Sequence, residues 1–326
     1  MTAAGSGALP RRGLLAGAAA LAFGAWAARA APRFASLFLF IPANPGGGWD
    51  GLGRAIEQVA REGGLIGQAQ FEHLAGAGGT VGLPRFLATR RGRPDSLIVA
   101  GTAMVGAALI NRSPVSLRDV PPVARLTEEA GVIVVPADSP FRDIGALAAA
   151  LRADPASVAV AGAGGGTLDH IILGLMLRAL GRQAREARFV AFPGGGPSMA
   201  AVLGGQVQAA VSGWSEFAEQ VKSGRVRALA TTGERRLDPA VPTLRESGLD
   251  VVATNWRGVF AAPGIRPEAR QALVTLMTDL HALPVWGRLL AERGWDDAFL
   301  TGPALDIFLE RDRAQTEAVL KELGLA

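Results

Sequence analysis

The 326-residue chain contains no cysteine. That excludes disulfides, thiolate zinc sites, iron–sulfur clusters, a thiol nucleophile and a lipid-modified N-terminal cysteine. Histidine is nearly as scarce. His73, His170 and His281 lie far apart in sequence, so no H-E-x-x-H-type metal motif exists. Lysine occurs only at 222 and 321, and neither follows a Gly-rich loop, which excludes a Walker A phosphate site. Neither a metal nor a cofactor is therefore expected. A surplus of one charge is also missing. Lys and Arg number 33 against 29 Asp and Glu. Arg11, Arg12 and Arg29 lie in an acid-free N-terminal segment, and the rest of the chain is nearly balanced. With no basic stripe, no nucleic-acid partner is expected.

What is present is a globular composition: 49% hydrophobic residues, with 43 Gly and 20 Pro. Intrinsic disorder needs low hydrophobicity and high net charge, and neither holds. The length suggests roughly two domains.

Arg11-Arg12 precede an uncharged apolar run, and Ala28-Arg29-Ala30 fits a signal-peptidase site. Residues 1–30 read as a cleaved export signal with a twin-arginine look. The apolar run is shorter than the ~20 residues that span a bilayer. The expected location is the periplasm.

After the signal, short apolar runs alternate with amphipathic stretches and Gly-rich turns, the pattern of α/β architecture with parallel strands. Strands are expected at 36–41, 97–100, 131–136, 158–161, 189–192, 208–212 and 226–231. Helices are expected at 50–61, from 102 through 110, and at 144–152, 167–180, 198–203, 267–281, 284–293 and 303–323. No long linker separates two domains, so they must share crossing strands. Val135-Pro136 and Asn255-Trp256 are the expected crossings.

Three turns share one chemistry: Pro45-Gly46-Gly47-Gly48-Trp49-Asp50, Gly162-Ala163-Gly164-Gly165-Gly166-Thr167, and Pro193-Gly194-Gly195-Gly196-Pro197-Ser198. Each follows a strand and opens a helix. Glycine lets a ligand approach the backbone closely. The first helical turn adds unpaired N–H groups and partial positive charge. Together these suit a carboxylate or phosphate without Arg or Lys. A tight turn without a ligand explains any one loop equally well. Three of them at strand carboxyl ends point to a ligand, because open α/β sheets bind there. None fits the dinucleotide pattern G-x-G-x-x-G. Trp49 can serve as pocket wall or as core, and its place in a candidate anion loop favours the wall. Asp169 and His170 are expected to support the second loop.

A catalytic reading is weak. Gly213-Trp214-Ser215-Glu216-Phe217 and Gly196-Pro197-Ser198-Met199-Ala200 both miss G-x-S-x-G. His73 and His281 read as ordinary structural or surface residues.

The motifs in their order resemble one family. They are Pro45-Gly46-Gly47-Gly48-Trp49-Asp50 with Arg54, Gly76-Ala77-Gly78-Gly79-Thr80-Val81-Gly82, and the loop ending Asp169-His170. Gly204-Gly205-Gln206-Val207, Arg227-Ala228-Leu229-Ala230, Val241-Pro242-Thr243-Leu244 with Glu246-Ser247-Gly248, and Asn255-Trp256-Arg257-Gly258 follow. The chain resembles the periplasmic solute receptors of tripartite tricarboxylate transporters, also called Bug-type receptors, over about residues 40–325. The Trp49-containing loop resembles the tricarboxylate branch.

The resemblance implies an α/β, periplasmic-binding-protein-like fold (type II, Venus flytrap), with two α/β lobes joined by two crossing strands. Lobe one would take residues 31–135 and 257–326, and lobe two residues 136–256. It implies a small carboxylate, citrate-like or a dicarboxylate, held between the lobes. Gly46, Gly47, Gly48, Trp49, Asp50 and Thr102 would contact it from lobe one. Gly165, Gly166, Thr167, Gly194, Gly195, Gly196 and Ser212 would contact it from lobe two. The implied partners are integral-membrane permease subunits, with the receptor itself a monomer and not an enzyme. A sensory receptor for a membrane kinase and an exported α/β hydrolase are the alternatives. Glu72-His73-Leu74-Ala75, Ala163 and Pro197 depart from the usual family pattern.

Overall fold

The structure is a computed structural model that describes residues 1–3, 33–162, 164–192 and 195–326. The expected export signal falls almost wholly outside the described residues, as do Ala163, Pro193 and Gly194. Among the described residues no helix is long and apolar enough to cross a membrane.

The chain opens with β1 (Phe34–Ile41), α1 (Gly48–Glu62), β2 (Ile66–His73), α2 (Gly82–Arg90), β3 (Ser96–Gly101), α3 (Thr102–Ile110) and β4 (Pro122–Glu128). Then come β5 (Gly131–Pro136), α4 (Ile144–Ala153), β6 (Val160–Gly162), α5 (Leu168–Ala179), β7 (Phe189–Ala191), α6 (Gly195–Leu203), β8 (Ala209–Gly213), α7 (Trp214–Lys222) and β9 (Val226–Thr231). The last elements are β10 (Arg257–Ala261), α8 (Pro267–His281), α9 (Pro284–Arg293), β11 (Asp296–Leu300) and α10 (Gly302–Glu322).

Local sequence explains most of these. Leu52, Ile56 and Val59 recur at helical spacing and are fully buried on α1. Every residue of β3 is buried, as a central strand's continuous apolar run requires. Pro267 and Pro284 open α8 and α9 at the one turn where a missing N–H costs nothing. In β5, Val132 and Val134 enter one core cluster while Ile133 and Val135 enter another, so both faces of its sheet are covered.

Two sheets form. The order is β11-β4-β10-β3-β1-β2 in lobe one and β7-β6-β8-β5-β9 in lobe two. Both are mixed rather than parallel. β10 runs antiparallel to β3 and β4, and β5 antiparallel to β8 and β9. The reversals follow from topology, since each strand enters its sheet directly from a crossing segment.

The first crossing is not at Val135-Pro136. It lies at Glu129-Ala130, before β5, because β5 is an apolar strand buried between β8 and β9. Glu128-Glu129 interrupts the apolar pattern there. The second crossing passes through Thr254, Asn255 and Trp256. The two crossings bond to each other: Glu129 N donates to Asn255 O at 3.2 Å, and Asn255 N to Glu129 O at 2.8 Å. Nor does α10 belong to lobe one alone. It packs on α3 and β4, while Val319, Leu320 and Leu323 cluster with Ile171 and Ala184 of lobe two.

The register places the crossings beside the helix starts. Arg257 pairs with Gly101 at the end of β3, and Gly131 pairs with Gly213 at the end of β8. Gly101 has no alternative, because a Cβ there would lie 2.1 Å from Trp256 O.

Candidate ligand-binding site

Five helices begin where strands end near the crossings: α1 and α3 in lobe one, α5, α6 and α7 in lobe two. Their first turns carry unpaired N–H groups. Gly46, Gly165 and Gly196 have no neighbouring atom within 4 Å of a would-be Cβ, and Gly47 has only Asn44 O at 3.6 Å. These backbones are open to approach.

In lobe one a charged network builds the loop. The Asp50 carboxylate, buried at the start of α1, accepts the Gly46 N–H at 2.9 Å and bonds His73 Nε2 at 2.7 Å. Arg54 lies 3.4 Å away. Burial pushes the Asp50 carboxyl up, but Gly46, His73 and Arg54 together outweigh it and hold it below its ordinary value. Asp50, expected against the ligand, fastens its own loop and holds Gly46 at φ +85°. His73 is a loop-holding residue.

Trp49 is buried. It belongs to the lobe-one core, where its ring and Met104 enclose Gly79 so closely that a Cβ there would lie 3.0 Å or less from each. Thr102 serves the crossing: it is buried, and its hydroxyl accepts the Trp256 N–H at 3.0 Å. Gly48 rests against the Arg257 guanidinium, which lies 3.0 Å from a would-be Cβ.

Arg257 and Glu129 are almost wholly buried, and Arg257 Nη2 donates to Glu129 Oε2 at 2.6 Å. The other Glu129 oxygen accepts from Ser215 N at 2.7 Å and from the Ser215 hydroxyl. This chain runs from the α1 loop through both crossings to the start of α7. Among the described residues Arg257 Nη1 has no hydrogen-bond partner.

In lobe two an imidazole and a hydroxyl contact the second loop. The Gly166 N–H donates to His170 Nδ1 at 3.2 Å, and the imidazole stacks on Phe189 at 4.2 Å. Burial lowers the pKa of His170, which keeps the ring neutral and able to accept. Asp169 is buried in the same turn. The Thr167 hydroxyl donates to Gly164 O at 2.8 Å, inside the loop. Gly166, with φ +73°, touches lobe one: a Cβ would lie 1.7 Å from Ile110 Cδ1. It is therefore an interlobe contact. Ser212 is buried and donates to Glu216 Oε2 at 2.8 Å, so it positions a carboxylate.

Sequence reasoning assigned no role to Glu129, Arg257 or Glu216. The acids flank Gly-rich strand ends, a signal that was available. Their partners lie up to 128 residues away, and that was not.

The model of the tripartite tricarboxylate transporter family receptor matches residues 58–325. The UPF0065 protein in gbd 5'region of Cupriavidus necator is 29% identical over 331 residues, covering 98% of this chain and 97% of that one. Protein BugT of Bordetella pertussis is 29% identical over 240 residues, 71% of each. Among solved structures, the periplasmic binding protein BugD aligns with TM-score 0.75 at 22% identity, covering 90% of this chain and 99% of its own. MatC from Rhodopseudomonas palustris with bound malate aligns with TM-score 0.70 at 24% identity, covering 87% and 98%. Those two likenesses establish the two-lobe periplasmic-binding-protein fold. With the family model spanning most of its length, the chain belongs to the tripartite tricarboxylate transporter receptors.

Proposed function

We propose that the protein is an exported, monomeric solute receptor that closes its lobes on a small carboxylate and delivers it to integral-membrane permease subunits. One observation carries this reading. Helix starts from both lobes meet at the crossings, and Gly47, Gly165 and Gly196 leave their backbones open. A carboxylate bridging the lobes would favour the closed state over the open one and shift the population accordingly. The malate held by MatC makes a carboxylate the first chemistry to test.

A citrate-like tricarboxylate is the leading candidate. Its support is the resemblance of the Trp49 loop to the tricarboxylate branch. Trp49 itself packs in the core, so it would act by shaping the loop. The periplasm is the expected site of action. Binding without turnover accords with the hydroxyls of Ser212 and Ser215, both given to carboxylates, and with His170 Nδ1, given to a backbone amide.

The test is a thermal-shift panel of citrate, tricarballylate, malate, succinate and aromatic acids on residues 31–326, followed by calorimetry. Ligand at about 100 Kd should stabilise by roughly 2.7 kcal/mol. Micromolar affinity, about −8 kcal/mol, is expected for the cognate acid. If no acid shifts the melting curve and mass spectrometry of denatured protein finds no bound acid, the reading falls.

A further inference from the structure

We infer that Glu216 makes lobe two select a ligand hydroxyl over a second ionised carboxylate. The inference rests on the receptor reading above and narrows its ligand class to small hydroxycarboxylates.

Three observations lead there. Glu216 stands exposed in the first turn of α7, and its Oε2 is fixed by the buried Ser212 hydroxyl at 2.8 Å. The carboxylate lies directly against the start of α6: a Cβ at Gly195 would sit 1.6 Å from Oε2. Its charge is also unlike those of the other acids near the crossings. Asp50 has His73 and Arg54, and Glu129 has Arg257. Among the described residues Glu216 forms no ion pair, and its Oε1 accepts no hydrogen bond.

The α6 start that the Gly-rich sequence reserves for an anion thus already carries one, built into the protein. A ligand carboxylate arriving there would face a like charge and be repelled. A ligand hydroxyl would instead donate to an ionised acceptor, a stronger bond than a neutral pair makes. A site that offers a polar group to a hydroxyl rejects the analogue lacking it, because that group is then left unpaired. The ligand would therefore lie with a carboxylate toward the open Gly47 backbone and a hydroxyl toward Glu216.

The experiment is calorimetry at pH 7.5 with two pairs that differ in one hydroxyl, citrate with tricarballylate and malate with succinate. In the unaltered protein the hydroxylated member of the binding pair should be at least tenfold tighter. Glu216→Gln keeps the length and the Ser212 contact and removes the charge. It should shrink that ratio to threefold or less, chiefly by tightening the deoxy acid. Ser212→Ala, which frees Glu216 from its tether, should reduce the ratio in a second and independent way. Melting curves of both variants confirm folding. Equal affinities within each pair, or a ratio unchanged by Glu216→Gln, overturns the inference and leaves the receptor reading standing. If neither member of either pair binds while another carboxylate does, the hydroxycarboxylate class is wrong and the receptor reading survives. If no carboxylate binds at all, both fall together.

Discussion

The two lobes offer backbone to the cleft in the same way but hold that backbone by different means. In lobe one the Gly46–Gly48 turn is fastened by charge. Asp50 is clamped by a backbone N–H, His73 and Arg54, and Gly48 leans on Arg257, itself paired with Glu129. In lobe two the Gly164–Thr167 turn is fastened by a neutral imidazole stacked on Phe189, and the exposed Glu216 carboxylate beside α6 forms no ion pair among the described residues. The contrast teaches that a Gly-rich anion loop is only a shape. The charges around it differ between the lobes: Asp50 and Glu129 face cations, while Glu216 forms no ion pair among the described residues.

The sharpest way to break the contrast is to remove the lobe-one charge. Arg257→Met would leave Glu129 buried without its cation, at an expected cost of about 3–5 kcal/mol in urea denaturation. The double variant Arg257→Met, Glu129→Met should recover most of that loss, since a buried pair contributes little net stability over apolar replacements. A single variant that melts like the parent would show that the pair does not organise the crossings.

Next come the glycines, where geometry separates two neighbours. Gly166→Val should destabilise by about 1–3 kcal/mol through overpacking on Ile110, with left-handed strain added. Gly166 is therefore a poor probe of binding. Gly165→Val and Gly47→Val meet open space, so stability should stay within about 0.5 kcal/mol. Carboxylate affinity should nevertheless fall at least tenfold in both. Retained affinity in both would detach the open backbones from binding.

Asp50→Asn should cost about 1–3 kcal/mol by weakening the clamp on Gly46. Its pH signature has a definite sign. The folded carboxyl lies below its ordinary 3.8, so its contribution is present above that value and lost as pH falls below it. The smallest effect belongs to lobe two. His170 is held below its ordinary 6.5 by burial, so the unfolded chain takes up the proton first on acidification. Its contribution is complete above pH 6.5 and declines as pH falls below it. The melting temperature of His170→Gln should therefore drop less between pH 7.5 and 5.5 than that of the parent. Identical slopes would contradict the neutral ring.

Much of the fold was legible because local pattern specified it. The helices of residues 267–281 and 284–293 match expectation to the residue, helped by prolines at their first turns. The strands at 131–136 and 226–231 do too, being short apolar runs bounded by turns. The elements that were missed lack such a pattern. β2 is an edge strand of mostly polar residues, Ile66-Gly67-Gln68-Ala69-Gln70-Phe71-Glu72-His73, and its strand character comes from pairing with β1. β4, β10 and β11 lie in segments whose pairing partners are distant in sequence.

The site divides along the same line. Which turns would be glycine-rich and where helices would start are local matters of spacing and side-chain absence. The glycine spacing and the helix starts followed from the residues alone. Where the chain crosses between lobes, that Trp49 turns into the core, that Thr102 and Asp50 serve their own scaffold, and that Arg257 meets Glu129 were decided only by packing. Those contacts join residues up to 154 positions apart, and no local preference encodes them. Glu216 stands at the boundary. Its place in a first helical turn is written in the chain, but its contact with Gly195 and its want of a cation arise only once α6 and α7 are laid side by side.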